Sequence, residues 1–420
     1  MNEVARSTRG EVLRRSLAWL VVAATLLVWP ILGNPSTYPV LVLVLFSPLA
    51  GVRLDDLSWV LGQTWIRLLL VAFVLIAVAF ALNAKTVHDY AYILDFVILP
   101  LSVPISLLAM HLGPRFDALR LSQLCLVSAA IALLIGLYGI YILHDVRVGG
   151  FELSPIHFAD LAVIMGFMAL GGFFVPAGRR HWYLLIGPAF GLGAAMFAGT
   201  RGALLVMVAL GVSFVVFYLL WYQATKAVKL RMIGLLAVLA ALALLLGSLV
   251  AGDRFFDAIN VVANILSGRE IDSSSAYRME MYSSGLRAFW DAPLFGHGWT
   301  HQLASALPYM SDMGRAGYEL EKWGYIHNEA LSFAVGGGAV GLLAYVVWMV
   351  APFVGLRSIP VDHQATARAY LVTTLVLGLA IAGLTEVLFM SELAKTLMVV
   401  LTCVVLVSCR DTPATTRSTP

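Results

Sequence analysis

Long apolar runs joined by short polar connectors fill most of the chain, and one polar stretch, 251–325, interrupts them. A run of eighteen or more apolar residues is long enough to cross about 30 Å of hydrocarbon as a helix. The runs predict about twelve spans. Their limits fall near 16–32, 38–52, 66–83, 91–110, 122–143, 156–175, 182–198, 202–222, 231–250, 326–351, 369–390 and 393–409. The second span is short and flanked by proline, and Gly199-Thr200-Arg201-Gly202 forms a tight turn between the seventh and eighth. The chain therefore divides into 1–250 with the first nine spans, a large loop at 251–325, and 326–409 with the last three. A Thr/Pro-rich tail at 410–420 is expected to be disordered. The short alternating segments of a membrane β-barrel are missing from the pattern, as are repeats of solenoid period.

Composition supports this pattern. The chain is 60% hydrophobic and 12% charged, with mean hydropathy +0.89. A soluble domain carries about twice that charged fraction. The net charge of +3 is too small to suggest a nucleic-acid partner. Lys and Arg favour cytoplasmic connectors. Alternate connectors carry Arg6, Arg9, Arg14 and Arg15; Arg53 and Arg67; Arg115 and Arg120; Arg179 and Arg180; Lys226, Lys229 and Arg231; and Arg357 and Arg368. The opposite short connectors carry Lys85, Arg147, Arg201 and Lys395, one each or none. Both termini are thus expected in the cytoplasm, and 251–325 outside, in the periplasm of a bacterium. The fold class expected is an all-α polytopic protein of the inner membrane, with one large periplasmic loop containing helices. The N-terminal apolar run ends in Trp29-Pro30-Ile31-Leu32 rather than at a small-residue cleavage site, which predicts a retained first span. Cys125, Cys403 and Cys409 lie in or beside apolar runs without CxxC spacing, so neither a disulfide framework nor a metal site is expected from them.

Ionisable groups in a bilayer are expensive, starting at about 2.5–3.5 kcal/mol at a helix centre. Here they gather toward the outer ends of the predicted helices. Lys85, His88 and Asp89 follow span three. His144, Asp145, Arg147, Glu152, His157 and Asp160 surround the mouth of spans five and six. Glu386, Glu392 and Lys395 flank the last turn. A polar pocket at the outer interface explains them together. Singly, Lys85, Arg147 and Lys395 could also snorkel to headgroups, and Asp160 and Glu386 could be structural partners of a nearby Arg. Arg201 sits between Thr200 and Gly202 in a turn too short to reach far into water, with small neighbours that leave room for a ligand.

Within the large loop, residues 276–290 predict an amphipathic helix with an apolar stripe of Tyr277, Met281, Leu286, Phe289 and Trp290. Arg278 and Arg287 are nine residues apart, roughly opposite each other around a regular helix. Pro293 ends the helix, and Gly296 and Gly298 permit an unusual backbone path. Tyr309, Tyr318, Trp323 and Tyr325 suit either sugar contact or an interfacial belt. Glu319 and Glu321 fit a solvated charge pair or oxygen ligands for a cation. His327 opens span ten, where an imidazole can take or give a proton near neutral pH. Gly336, Gly337, Gly338 and Gly341 then allow close packing of a helix or lipid chain.

Tyr277-Arg278, Gly285-Leu286, Trp290, Pro293-Leu-Phe-Gly296-His-Gly298, His327-Asn328, Leu331, Gly338 and Gly341, with Arg201 in Thr-Arg-Gly, resemble the O-antigen ligase and polymerase family. The resemblance implies periplasmic glycosyl transfer from an undecaprenyl-diphosphate-linked glycan to a sugar hydroxyl of lipid A-core. Its partners would be these two substrates and membrane lipids. The single large outer loop looks like a ligase; the alternatives are an O-antigen polymerase and a non-enzymatic transporter or flippase for lipid-linked glycans. The expected catalytic set is His327, Arg278 and Arg201, with Arg147, Lys85, Asn328, Arg287 and Tyr277 as substrate contacts. Arginines match the planar charge of a diphosphate leaving group, so no cofactor and no metal are expected. His327 would act either as general base or as a hydrogen-bond donor to the diphosphate. Direct displacement would invert the anomeric centre.

Overall fold

The computed structural model describes residues 2–47, 53–113, 116–150, 152–175, 181–221, 273–312, 314–315 and 325–410, with 226, 230, 234 and 267 between them. Helices and turns make up these residues, and no strand occurs among them. The helices are α1 (Asn2–Ala23), α2 (Trp29–Leu32), α3 (Thr37–Phe46), α4 (Leu54–Gly62), α5 (Thr64–Asn83), α6 (Val87–Leu94), α7 (Ser102–Ala109) and α8 (Ala118–Tyr141). They continue with α9 (Pro155–Met168), α10 (Gly187–Phe197), α11 (Gly202–Trp221), α12 (Ser273–Asp291), α13 (Gln302–Ala306), α14 (Glu329–Ser358), α15 (Ala365–Ala382) and α16 (Glu392–Ser408). Among the described residues, seven helical stretches are long and apolar enough to cross a membrane: Gly10–Leu32, Thr64–Asn83, Ala118–Tyr141, Pro155–Phe174, Gly202–Trp221, Glu329–Ser358 and Ala365–Ala382. Asn34–Phe46 and Trp182–Phe197 are shorter apolar helices. The expected span 231–250 apart from Gly234, 251–272 apart from Ser267, residues 316–324 with Glu319 and Glu321, and the tail 411–420 lie outside the described residues.

The run expected as one span over 91–110 folds differently. Helix α6 stops at Leu94, turns occupy 95–101, and α7 resumes at Ser102. Pro100 lacks an N–H and restricts the residue before it, which disfavours a regular helix across 96–100. Hydropathy alone does not register that break.

Helix α9 is the axis of one half of the bundle. Its apolar window is 94% buried, so it is enclosed by protein rather than by lipid. Ser154 caps its start, where Oγ accepts from the Ile156 N–H at 3.2 Å, and Pro155 occupies the first turn. Helices α8, α10, α11 and α15 pack around it. In lipid, such packing depends on close backbone approach rather than on expulsion of water. Gly166 and Gly187 supply that approach, since a Cβ on Gly166 would sit 2.5 Å from the Gly187 carbonyl oxygen. In the other half α14 lies along α5, and α16 lies against α7.

Helix α14 contains the fold's main irregularity. Gly338 has φ 64° and ψ −158°, so the helix breaks there. Two hydrogen bonds of an unbroken helix are lost, Ala339 N–H to Val335 O and Val340 N–H to Gly336 O. The loop after α12 replaces all four partners. His297 N–H donates to Val335 O at 2.9 Å and Gly298 N–H to Gly336 O at 2.8 Å; Ala339 N–H donates to Pro293 O at 2.7 Å and Val340 N–H to Leu294 O at 3.2 Å. Non-helical backbone inside a span is tolerated when protein re-satisfies it in this way. The approach excludes a side chain, because a Cβ on Gly296 would fall 2.5 Å from the Gly338 nitrogen. The Pro293–Gly298 motif is therefore a plug for the break in α14.

Candidate functional site

The first turn of α14 and the connector between α15 and α16, residues 383–391, are fastened together. Asn328 caps α14, its Oδ1 accepting from the Leu331 N–H at 2.9 Å, while its Nδ2 donates to Leu384 O at 3.1 Å. The Glu329 N–H donates to Gly383 O at 2.7 Å, and the Glu329 carboxylate accepts from the Phe389 N–H at 3.0 Å. From α12, the Tyr282 hydroxyl lies 2.6 Å from His327 O and 3.1 Å from Leu384 O, one proton serving two carbonyls. Burial pushes the Tyr282 phenol up to about 12, so it remains a donor at neutral pH.

These contacts place His327 against Glu386. The imidazole Nδ1 is 3.0 Å from Glu386 Oε1, with the histidine side chain 12% exposed and the glutamate 1%. Burial pushes the Glu386 carboxyl up. The hydrogen bond from His327, the charges of His327 and His157, and the Val387 N–H outweigh burial and hold it below its ordinary value. An ionised Glu386 fixes the proton on Nδ1, which puts the lone pair on Nε2. The Tyr325 ring packs at 5.0 Å between centroids on the His327 ring.

Arg201 comes to the same place through its turn. Gly199 has φ 60°, which closes the turn between α10 and α11. Gly202 faces Thr385, the neighbour of Glu386, so closely that a Cβ would lie 2.9 Å from Thr385 Oγ1. Thr200 Oγ1 donates to Pro155 O at 3.3 Å and so fixes the turn to the start of α9. Arg147 braces it from outside, with Nε donating to Ala198 O at 3.1 Å and a terminal nitrogen 3.4 Å from Thr200 Oγ1. Arg278 is half-buried on α12, one turn before Tyr282, and its charge acts on Asp160, Tyr282 and Tyr325. The three residues expected to be catalytic, Arg201, Arg278 and His327, thus converge on one end of the bundle.

The other expected contacts divide. Asn328 is the cap described above. Arg147 borders the Arg201 turn. Tyr277 packs with Met281, Leu303 and Met310 in a small apolar core between α12 and α13. Arg287 is exposed, on the part of α12 near the Tyr309–Asp291 hydrogen bond, and so diverges from Arg278 as their spacing requires. Lys85 is exposed in a separate grouping. Its N–H donates to Asp89 Oδ2 at 2.9 Å, and Thr300 Oγ1 donates to Asp89 Oδ1 at 2.9 Å. The hydrogen bond from the Lys85 main chain holds the Asp89 carboxyl well below the usual range.

Sequence reasoning put Glu386, His157 and Asp160 in one outer polar pocket with His327 but did not foresee the direct contact of His327 with Glu386. It missed Tyr282 and Thr385. The available signal was weak: a Glu close to the end of an apolar helix, near a His opening another.

Residues 186–346 match the family model described as O-antigen ligase. The match contains Arg201, Arg278 and His327 and ends before Glu386. No curated protein matches the chain.

Proposed function

We propose, from the match of residues 186–346 to the O-antigen ligase family model, that this chain transfers a glycan from undecaprenyl diphosphate to a sugar hydroxyl of lipid A-core. The observation that carries the reading is the His327–Glu386 pair at 3.0 Å, set beside the Arg201 turn and the Arg278 helix. Glu386 orients the imidazole, and Nε2 removes the proton of the acceptor hydroxyl as its oxygen attacks the anomeric carbon. The bond from that carbon to the diphosphate breaks, and its electron pair stays on a phosphate oxygen. Arg201 and Arg278 stabilise the charge that builds there. One displacement inverts the anomeric centre, and the two guanidinium groups supply the charge that a divalent ion would otherwise supply.

The alternation of Lys/Arg-rich connectors supports a cytoplasmic position for both termini and a periplasmic one for this end of the bundle, in a bacterial inner membrane. The division into spans at 1–250 and 326–409, around an outer 251–325 cap, belongs to the same reading.

Purified protein in detergent, with the lipid-linked glycan and lipid A-core, should form the joined product without a membrane gradient and in the presence of chelator. Elongation of the donor glycan alone would identify a polymerase. Movement of the donor across vesicles, with no product in detergent, would identify a transporter. Inhibition by chelator that magnesium reverses would remove the metal-independent step.

A further inference from the structure

Behind the His327–Glu386 pair lie two polar residues that the mechanism above does not use. His157 and Asp160 are three apart on α9 and share one face of it. Both are buried, His157 5% exposed and Asp160 0%. The groups with which they interact lie on three sides. Glu386 and His327 act on His157, which also reaches the main chain of Val387; Glu386 and Arg278 act on Asp160. Tyr282, Tyr325 and Glu329 form the next ring of titratable groups around Glu386. Neither oxygen of Asp160 has a hydrogen-bond partner among the described residues, and neither does His157 Nε2.

Apart from the contact of His157 with the Val387 main chain, no hydrogen bond among the described residues holds these two side chains. Their neighbours Phe158, Ala159, Leu161 and Ala162 are buried and apolar, and a carboxyl without a partner weakens such a helix bundle. The chemistry does supply a use. Each transfer leaves one proton on a base that is almost enclosed, while the departing phosphate takes only the electron pair. That proton needs somewhere to go before His327 can act again.

We propose that His157 and Asp160 form a buried station that takes the reaction proton from the His327–Glu386 pair. The acceptor O–H bond breaks and its proton moves to His327 Nε2. The acceptor oxygen forms the new bond to the anomeric carbon, and the bond from that carbon to the diphosphate breaks with its electrons on phosphate. The Nδ1 proton shifts to Glu386 and on to His157 and Asp160; when product leaves, the Nε2 proton passes to solvent and the held proton returns through Glu386 to Nδ1, which restores the lone pair on Nε2. His157 and Asp160 are positioning residues in this scheme, since neither touches substrate. The inference rests on the transferase reading above.

The test compares full-length parent, Asp160→Asn and His157→Gln in detergent, measuring transfer from the lipid-linked glycan to lipid A-core across pH. Both variants should lower kcat by about tenfold to a hundredfold. The KM for each substrate should stay within about twofold, and the limb of the kcat–pH profile that reports the base should move. Size-exclusion behaviour checks folding, and if Asp160→Asn folds poorly, His157→Gln carries the same expectation alone. A parent that transfers nothing sinks the transferase reading and this one together. A parent that transfers, with variant profiles superimposed on its own or with losses in KM alone, removes the proton station and leaves the transferase reading standing. Loss of kcat with an unmoved pH profile marks a purely structural role and also removes it.

Discussion

Two buried polar clusters lie at opposite ends of α15, and they are finished differently. At its start, Arg368 is 2% exposed and fully engaged: one terminal nitrogen donates to both Asp362 oxygens at 2.6 and 2.8 Å and to Cys409 O at 2.9 Å, and the other to Pro360 O at 3.0 Å. These bonds join the connector before α15 to the end of α16. Beyond the other end of α15, Glu386 is paired with His327, yet the oxygens of Asp160 and His157 Nε2 behind it have no hydrogen-bond partner among the described residues. A charge buried to hold helices together is given all its hydrogen bonds, because an uncompensated one is costly. A group kept to exchange protons must leave capacity open. On the proposed reading, that is the difference between a fastener and a working site.

The contrast can be broken by mutation. The largest effect is expected at the charge clamp: Arg201→Ala and Arg278→Ala should each lower the transfer rate by about 10³-fold or more, with the protein still extracted as a folded species. Near-parent rates in either variant would dissolve the assignment. His327→Ala should cost about 10²- to 10⁴-fold, and Asn at this position should not rescue it if a proton moves. Robust activity of His327→Asn would favour hydrogen bonding instead. Glu386→Gln should cost about ten- to a hundredfold, because the imidazole loses the partner that sets its tautomer.

At the opposite end the readout changes from rate to stability. Arg368→Ala takes the guanidinium away from Asp362 and should cost about 3–5 kcal/mol, visible as a lowered Tm in detergent, while the rate per folded molecule stays near the parent's. A selective loss of rate would erase the distinction between the two clusters. A smaller effect concerns acid. The folded Glu386 carboxyl lies below its ordinary value of 4.5, so its stabilisation is complete above that pH and fades as pH falls through the folded value. The gap between parent and Glu386→Gln in thermal stability should therefore narrow below about pH 4.5; a gap independent of pH counts against an ionised Glu386. The smallest change is expected at Arg287, where replacement by Ala should alter the rate by less than about twofold, as for an exposed charge.

Much of this was legible in the chain. Spans near 66–83, 122–143 and 202–222 correspond to α5, α8 and α11, because a long apolar run leaves a backbone little choice but helix. The family resemblance, the tight turn around Arg201 and the place of His327 at the start of a span nominated Arg201, Arg278 and His327, and the nine-residue spacing from Arg278 already set Arg287 on another side of the helix. The contact between His327 and Glu386 was not legible, since 59 residues and two helices separate them. The split of 91–110 into α6 and α7 was hidden because hydropathy averages over Pro100. The break at Gly338 was read as room for close packing; only the fold shows that 293–298 fills it.

That filled break has a mechanical consequence. The loop that leaves α12 is stitched into α14 by four main-chain hydrogen bonds, two on each side of the discontinuity. Pulling that loop away from α14 would tear all four inside an apolar surround, where no water waits to replace them. The end of α12 is accordingly anchored to the middle of α14, and any movement of Arg278 must pivot about that anchor.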